Sequence, residues 1–546
     1  MHAPGGVPTA HCDTFARSLL PPEELWPRFD YSAPRISRYP DRINVATALL
    51  DAAVAAGSGD RPMLYFGDIV WTYRHMLDRV QRLARVLVED LGLKTGGRVL
   101  LRSPNNPMMA ACWLAVVRAG GIAVTTTPLL RAHELAQILD KAQIGIALCE
   151  QSLTDELEAA GAKRSAPLRI ASFTALGDGD AELDRRLAAK PAGGGWADTA
   201  ADDIALICFT SGTTGRPKAA AHFHRAILAA CDCWLGTSPA EPSDVFLGTS
   251  SMAFTFGLTS NLLYPLRAGA AAVIASSSRP EDIWAAIRRR RVTHLNTAPT
   301  AYLRLLEAGA DREAAVSLRW CLSSGEHLRP EIWQRWLEAT GARIMEGFGS
   351  TELLTRVLSQ DRRVEHVGAT GRPVEGYTLA LMDEHGSLLP DGAGRGRLAV
   401  RGPTGGLYLG DPDLQRAFVI NGWNVLSDVF ERDGDGWYWY VDRFDGIIVS
   451  SGYNIAAAEV ERAIVAHPKV LECAVVGVPD PERGKIVRAC IVLRDPGQAG
   501  ESTALEIQEH VKSTIAPYKY PRDVRFLRDL PKTASGKVQR YRLVSL

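Results

Sequence analysis

No stretch of about eighteen apolar residues occurs in this chain, so no segment reads as a membrane-spanning helix. Charge of one sign is not in excess: 62 Lys and Arg stand against 62 Asp and Glu. No global field is therefore available to hold nucleic acid or an anionic membrane, and any anion site must be local. Cysteine is sparse and unpatterned. The only close pair, Cys231 and Cys233, is one residue apart, and no second pair completes a zinc-site spacing. The nine cysteines read as reduced thiols of a cytoplasmic protein. The opening "MHAPGGVPTAHC" has neither the basic start nor the apolar centre of an export signal, and the expectation is a soluble, unexported chain. At 546 residues, two or more domains are expected.

Helix-like and strand-like segments alternate up to about residue 440. "LDRVQRLARVLVEDLG" places Val80, Leu83, Val86 and Leu87 on one face, and "RVLLRS" follows a glycine turn. "MMAACWLAVVRAGGIAVTT" repeats the order helix, glycine pair, strand, which is the rhythm of an α/β sheet. The segment 187–200, "LAAKPAGGGWADTA", reads as a surface connection. Beyond "RDGDGWYWYVDRFDG" the texture changes. "AAEVERAIVAH" has helical spacing, "LECAVVGV" and "IVRACIVL" read as strands, and a second amphipathic helix falls near 503–515. The fold class expected is α/β: a large multi-lobed domain over 1–444 and a small α+β domain over 445–546.

"FTSGTTGRPKAAAH" follows the apolar run "IALICF". The run suits a buried strand, whereas the glycines, hydroxyls and single lysine after it suit the cradling of a polyphosphate. It is not a Walker A loop, because Pro217 precedes Lys218 and no Ser or Thr follows it. In this order of residues the chain resembles the adenylate-forming superfamily of acyl-CoA synthetases, adenylation domains and luciferases.

Further motifs of that superfamily follow in order. The resemblance implies that Thr210, Ser211, Gly212, Thr213, Thr214, Gly215 and Lys218 hold ATP phosphates. In "GFGSTE" it implies that Phe348 stacks on adenine, Thr351 donates to the α-phosphate and Glu352 holds Mg²⁺. "CLSSGEHL" would line the adenine site with Gly325 and Glu326, while Asp428 and Arg443 would take the ribose hydroxyls. "PKTASGKVQR" makes Lys537 the implied catalytic lysine beside Thr351 and Lys218. The small domain would turn about Asp445, bringing Gly452 and Tyr453 of "SSGYNI" toward the active site and the pantetheine tunnel.

"MAFTFGL", "NGWNVLSD" and "ATGRPVEGY" are most similar to benzoate-type ligases, in particular 2-aminobenzoate-CoA ligases. The resemblance implies an acyl pocket walled by Phe254, Thr255, Phe256 and Gly257, with Ser324, Gly347 and Gly349 opposite. Aromatics facing glycines suit a planar ring. The implied reaction joins an aryl acid to coenzyme A at the expense of ATP, with Mg²⁺. Two other readings stand beside it: an enzyme loading a carrier protein, and a non-catalytic binding module. Ala219, Ser427 and Asp442 replace glycines usual in the family, and "NIAAAEVE" lacks a proline common there. His222 and His224 read as core histidines.

Overall fold

The computed structural model describes residues 7–210, 217–363, 366–443, 447–531 and 538–546, with Asp442 by its backbone only. Two large sheets organise the first four-fifths of the chain. In one, Ile204–Thr210, Ile122–Thr126, Arg98–Arg102, Ile146–Glu150 and Arg169–Phe173 run parallel in that spatial order. Lys218–Phe223 and Leu407–Tyr408 close its other edge antiparallel. In the second, Ile344–Gly349, Trp320–Ser323, His294–Thr297, Val245–Gly248, Ala271–Val273 and Pro62–Phe66 are parallel neighbours. Arg356–Ser359 folds back antiparallel on Ile344–Gly349.

The central strands are buried along their whole length, as expected where both faces of a parallel sheet are covered. Ile204 to Cys208 are all buried. The helix Pro107–Arg118 is buried at every position and fills the space between the sheets, its N-terminus capped by Asn106 accepting from the Met109 amide. One core cluster joins Leu101 and Leu206 of the first sheet to Phe246, Leu295 and Leu322 of the second through this helix. Val80, Leu83, Val86 and Leu87 are buried on the helix Tyr73–Arg85 and its wider-wound continuation Val86–Asp90.

The 187–200 segment is more tightly held than its composition predicts. Its first residues end the helix Glu182–Ala189. Ala197 N donates to Arg118 O at 3.0 Å, and the buried Thr199 hydroxyl donates to Ile43 O at 2.6 Å. Small residues here allow close approach to the sheet edge, and backbone groups that reach the interior must find partners.

A five-stranded antiparallel sheet, including Trp423–Arg432 and Tyr438–Arg443, follows. Thereafter the hairpin Ile447–Ser450/Tyr453–Ala456, the helices Ala457–Val465 and Glu501–Thr514, and the sheet Val470–Asp480, Gly484–Leu493, Asp523–Phe526 build a small domain. Its two core clusters draw only on residues from Ile448 onward. Among the described residues, no helix is long and apolar enough to cross a membrane. All nine cysteines are free thiols, seven of them buried.

Candidate active site

The antiparallel pair Thr210↔Lys218 forms the neck of the loop between the strands Ile204–Thr210 and Lys218–Phe223. Ser211, Gly212, Thr213, Thr214 and Gly215 lie outside the described residues, as do Asp445 and Lys537. The neck itself is fixed: Lys141 Nζ donates to Pro217 O at 2.8 Å. Lys218 projects over the Tyr408 ring, its ammonium 6.0 Å from the centroid. The Tyr408 hydroxyl donates to Glu352 Oε1 at 2.6 Å. Tyr408 reaches this point because its strand pairs with Lys218–Phe223, Tyr408 opposite Ala220. One aromatic residue, absent from the motif reading, therefore ties the phosphate-loop lysine to the carboxylate. Below them the buried His222 is pushed down to about 4 by burial and is neutral at pH 7. His224, pushed down to about 3 by burial, accepts from the Val45 amide at 3.1 Å.

A single carboxylate fixed by a phenol beside a lysine suits a magnesium ion whose other ligands are phosphate oxygens and water. Among the described residues, no group of three or more His, Cys, Asp or Glu gathers into a self-sufficient metal site.

Asp428 and Arg443 are register partners on neighbouring strands, the guanidinium donating to both carboxylate oxygens at 3.1 and 3.2 Å. Phe348 sets its ring edge-on to Phe430 at 5.0 Å, which leaves a flat face for a further ring. Phe430 in turn meets Tyr440, on which His327 stacks. His327 lies 2.9 Å from the buried Glu346. Burial alone would lower its pKa, yet the bond to Glu346 raises it. Gly325 holds φ +93° at the strand end, a conformation open to glycine.

The small domain enters the same site. Gly452, at φ +79°, donates its amide to Glu326 Oε1 at 2.5 Å. Tyr453 meets Phe254 edge-on at 5.8 Å. Tyr453 is stacked from behind by Tyr518 at 4.3 Å. Glu326, Phe254, Gly452 and Tyr453 are thus brought together by this docking of the small domain.

In the region expected to hold the acyl group, Phe254 is half-exposed, while Thr255 and Gly257 are buried on the short helix Thr255–Leu258. A Cβ on Gly257 would fall 2.0 Å from Ser251 O, so backbone crowding requires glycine there. The Ser324 hydroxyl donates to Gly347 O at 2.8 Å. The space over Gly347 is not an empty slot: a Cβ there would meet Arg356 Cδ at 2.6 Å. Gly349 is crowded in the same way by the Thr355 backbone. Arg356 is a wall residue the motifs did not reveal. In "GSTELLTRV" it resembles any polar residue after a turn, and only burial separates it from a surface arginine.

Residues 51–409 match the family model for AMP-binding enzymes, and 459–537 match the model for the AMP-binding enzyme C-terminal domain. The chain belongs to the AMP-binding enzyme family. The benzoate–CoA ligase of Thauera aromatica is 31% identical over 521 residues, 94% of this chain and 98% of the relative. The mitochondrial acyl-coenzyme A synthetase ACSM3 of Mus musculus is 31% identical over 87% of this chain and 84% of its own length. Among solved structures, the anthranilate CoA ligase AuaEII bound to anthranoyl-AMP covers 93% of this chain and 98% of its own, at 28% identity and a TM-score of 0.71. A benzoate CoA ligase from Burkholderia xenovorans covers 92% and 100%, at 28% identity and a TM-score of 0.67. This family member is an acid–thiol ligase that activates a carboxylic acid through an adenylate, with ATP, Mg²⁺ and coenzyme A. The large and small domains correspond to the two parts of the adenylate-forming fold.

Proposed function

We propose that this ligase activates a benzoate-type acid, with ortho-substituted benzoates such as 2-aminobenzoate or 2-hydroxybenzoate as leading candidates, and transfers the aryl group to coenzyme A. The observation that carries the reading is the continuity of one pocket wall. Arg356 reaches from the Phe256 ring to Gly347, and the strand that carries Gly347 continues through Phe348 to Gly349, just before the turn that holds Thr351 and Glu352. A ring between those walls would direct its carboxylate toward the phosphate-binding residues. The likeness to benzoate and anthranilate ligases supports the same class.

The chemistry follows from charge. A carboxylate oxygen attacks the α-phosphorus of ATP, the bond to the β-phosphate oxygen breaks, and pyrophosphate leaves with the electron pair. Magnesium held at Glu352 would neutralise phosphate charge. Lys218 and the loop amides would steady the leaving group, and Lys537 would bridge the acid's carboxylate and the α-phosphate. Thr351 would donate to the α-phosphate, Phe348 would stack on adenine, and Asp428 with Arg443 would bind the ribose. Rotation of the small domain about Asp445 would then replace Lys537 by the Gly452–Tyr453 loop. Coenzyme A thiolate adds to the adenylate carbonyl and AMP leaves. Free coenzyme A is proposed as acceptor over a carrier protein, on the likeness to stand-alone CoA ligases.

ATP–pyrophosphate exchange across a panel of acids tests the reading, with benzoates expected to exceed acetate and decanoate. A preference for decanoate over every aryl acid overturns it. Mass spectrometry of a mixture of enzyme, ATP, Mg²⁺, aryl acid and CoA is expected to show the aryl thioester. Adenylate inert to CoA yet reactive with a phosphopantetheinyl carrier would favour the carrier-loading alternative.

A further inference from the structure

Arg356 combines three features that a structural arginine does not ordinarily show together. The residue is 4% exposed, and none of its three guanidinium nitrogens has a hydrogen-bond partner among the described residues. Its side chain crosses the space over Gly347, and its guanidinium carbon lies 5.3 Å from the centre of the Phe256 ring. It is therefore held between the two walls of the proposed acyl pocket. Among the described residues no carboxylate opposes it: the ionisable side chains that act on it are Tyr264 and Tyr302. Burial pushes Tyr264 up to about 12 and Tyr302 well above its ordinary value, so both are neutral at pH 7. Their hydroxyls are also engaged, Tyr264 with Thr355 Oγ1 at 2.7 Å and Tyr302 donating to Leu295 O at 3.1 Å.

A guanidinium stays protonated in proteins, so burial leaves a full charge without a counter-ion. That arrangement is strongly unfavourable unless an anion joins it. The attraction of the Phe256 face offsets only part of the penalty and satisfies none of the N–H groups. Guanidinium is a donor only, in a planar fork that fits a carboxylate and matches an aryl amine poorly.

We infer that the acid this enzyme activates carries a second carboxylate on its ring, bound by Arg356 between Phe256 and Gly347 while the first carboxylate is adenylated. The inference rests on the aryl-acid reading above and, within the benzoate-type acids, puts benzene dicarboxylates ahead of the ortho-amino and ortho-hydroxy candidates. The incoming group displaces the guanidinium from the Phe256 face and supplies its missing counter-charge. Arg356 is then a specificity-determining residue that takes no part in the chemical step.

The test uses the full-length enzyme in pyrophosphate exchange with benzoate, 2-aminobenzoate and the ortho, meta and para benzene dicarboxylates. At least one dicarboxylate is expected to exceed benzoate in kcat/KM by about 10- to 100-fold, the range of a charge-assisted hydrogen-bonded pair. Arg356→Met is expected to abolish that preference, so that the ratio of kcat/KM for the dicarboxylate to that for benzoate falls to about one or below. Arg356→Lys should retain a reduced preference, since an ammonium keeps the charge and loses the fork. Benzoate activity in the variants shows that they fold, and the wild-type substrate order decides even if they do not. Exchange with benzoates but no preferred dicarboxylate overturns this inference alone, as does an unchanged ratio in a folded Arg356→Met. Exchange with no aryl acid overturns the aryl-acid reading and this inference with it.

Discussion

Glu326 illustrates how a single side chain couples the site to pH. It accepts the Gly452 amide across the domain junction, and burial pushes its carboxyl from 4.5 up to about 7, the Gly452 bond opposing that rise. An acid whose folded pKa is raised adds stability that is fully present below its unfolded value and is lost as pH rises through the folded one. Glu326 should therefore lower stability progressively between about pH 4.5 and 7. Glu326→Gln is expected to match the wild type near pH 4.5 and to melt above it at pH 8. Parallel Tm profiles for the two proteins would refute the assignment. Tyr408 acts at the same scale as a positioning residue, since its hydroxyl fixes Glu352. Tyr408→Phe should raise the Mg²⁺ concentration for half-maximal pyrophosphate exchange by the value of one hydrogen bond, about 0.5–1.5 kcal/mol. Tyr408→Ala, which also removes the ring beneath Lys218, should do more. Lys218→Ala should lower kcat/KM for ATP by about 10²–10³, the scale of one charge-stabilising group.

Among elements, the turn after the helix Glu501–Thr514 ties the small domain to the large one. Lys519 is 3% exposed and bonds Glu134 of the large domain at 2.5 Å and Glu459 of its own domain at 2.7 Å. Burial alone would lower the lysine pKa, but Tyr518, Glu459 and Glu134 together raise it, so the ammonium is held firmly charged. Burial also raises Glu459, as expected where two carboxylates share one cation. Removing the cation strands both carboxylates, at a penalty of about 3–5 kcal/mol for a broken buried pair. The contact to Glu134 exists only while the domains are docked in this way. Lys519→Met should therefore impair thioester formation from synthetic aryl adenylate more than it impairs pyrophosphate exchange. Glu134→Gln, which leaves the small domain's own pair intact, should show the same bias with less loss of stability. Equal loss in both half-reactions for both variants would make the triad a general structural feature.

For the whole molecule, the proposed alternation assigns the two half-reactions to two arrangements of one small domain. The contacts of Gly452 with Glu326 and of Tyr453 with Phe254 place the 451–453 loop against the proposed pocket. Val538 packs against a core cluster of the small domain that holds Val476 and Leu530. Lys537→Ala is expected to lose several orders of magnitude in adenylate formation yet convert supplied adenylate to thioester near the wild-type rate. Asp445→Pro, which restricts φ at the proposed hinge, should show the opposite pattern. Rapid-quench measurement of each half-reaction checks both, and equal damage throughout would refute the alternation.

The sequence by itself determined the strands, the helices and the order of the phosphate and adenine motifs. Apolar runs such as "IALICF" and the spacing of Val80, Leu83 and Leu87 depend on neighbours within a few residues, so local physics suffices to read them. The candidate ATP residues were legible for the same reason: they sit in short, chemically restrictive segments. Only the tertiary structure decided what faces what. Glu352 and Tyr408 are 56 residues apart, and Lys519 and Glu134 are 385 apart, so no local pattern records either bond. The glycines opposite Phe256 suggested open space for a ring, and folding placed the Arg356 side chain there instead. A charge reads the same in sequence whether it meets water or a closed wall, and burial, set by segments far apart in the chain, is what turns Arg356 from a surface residue into a constraint on the substrate.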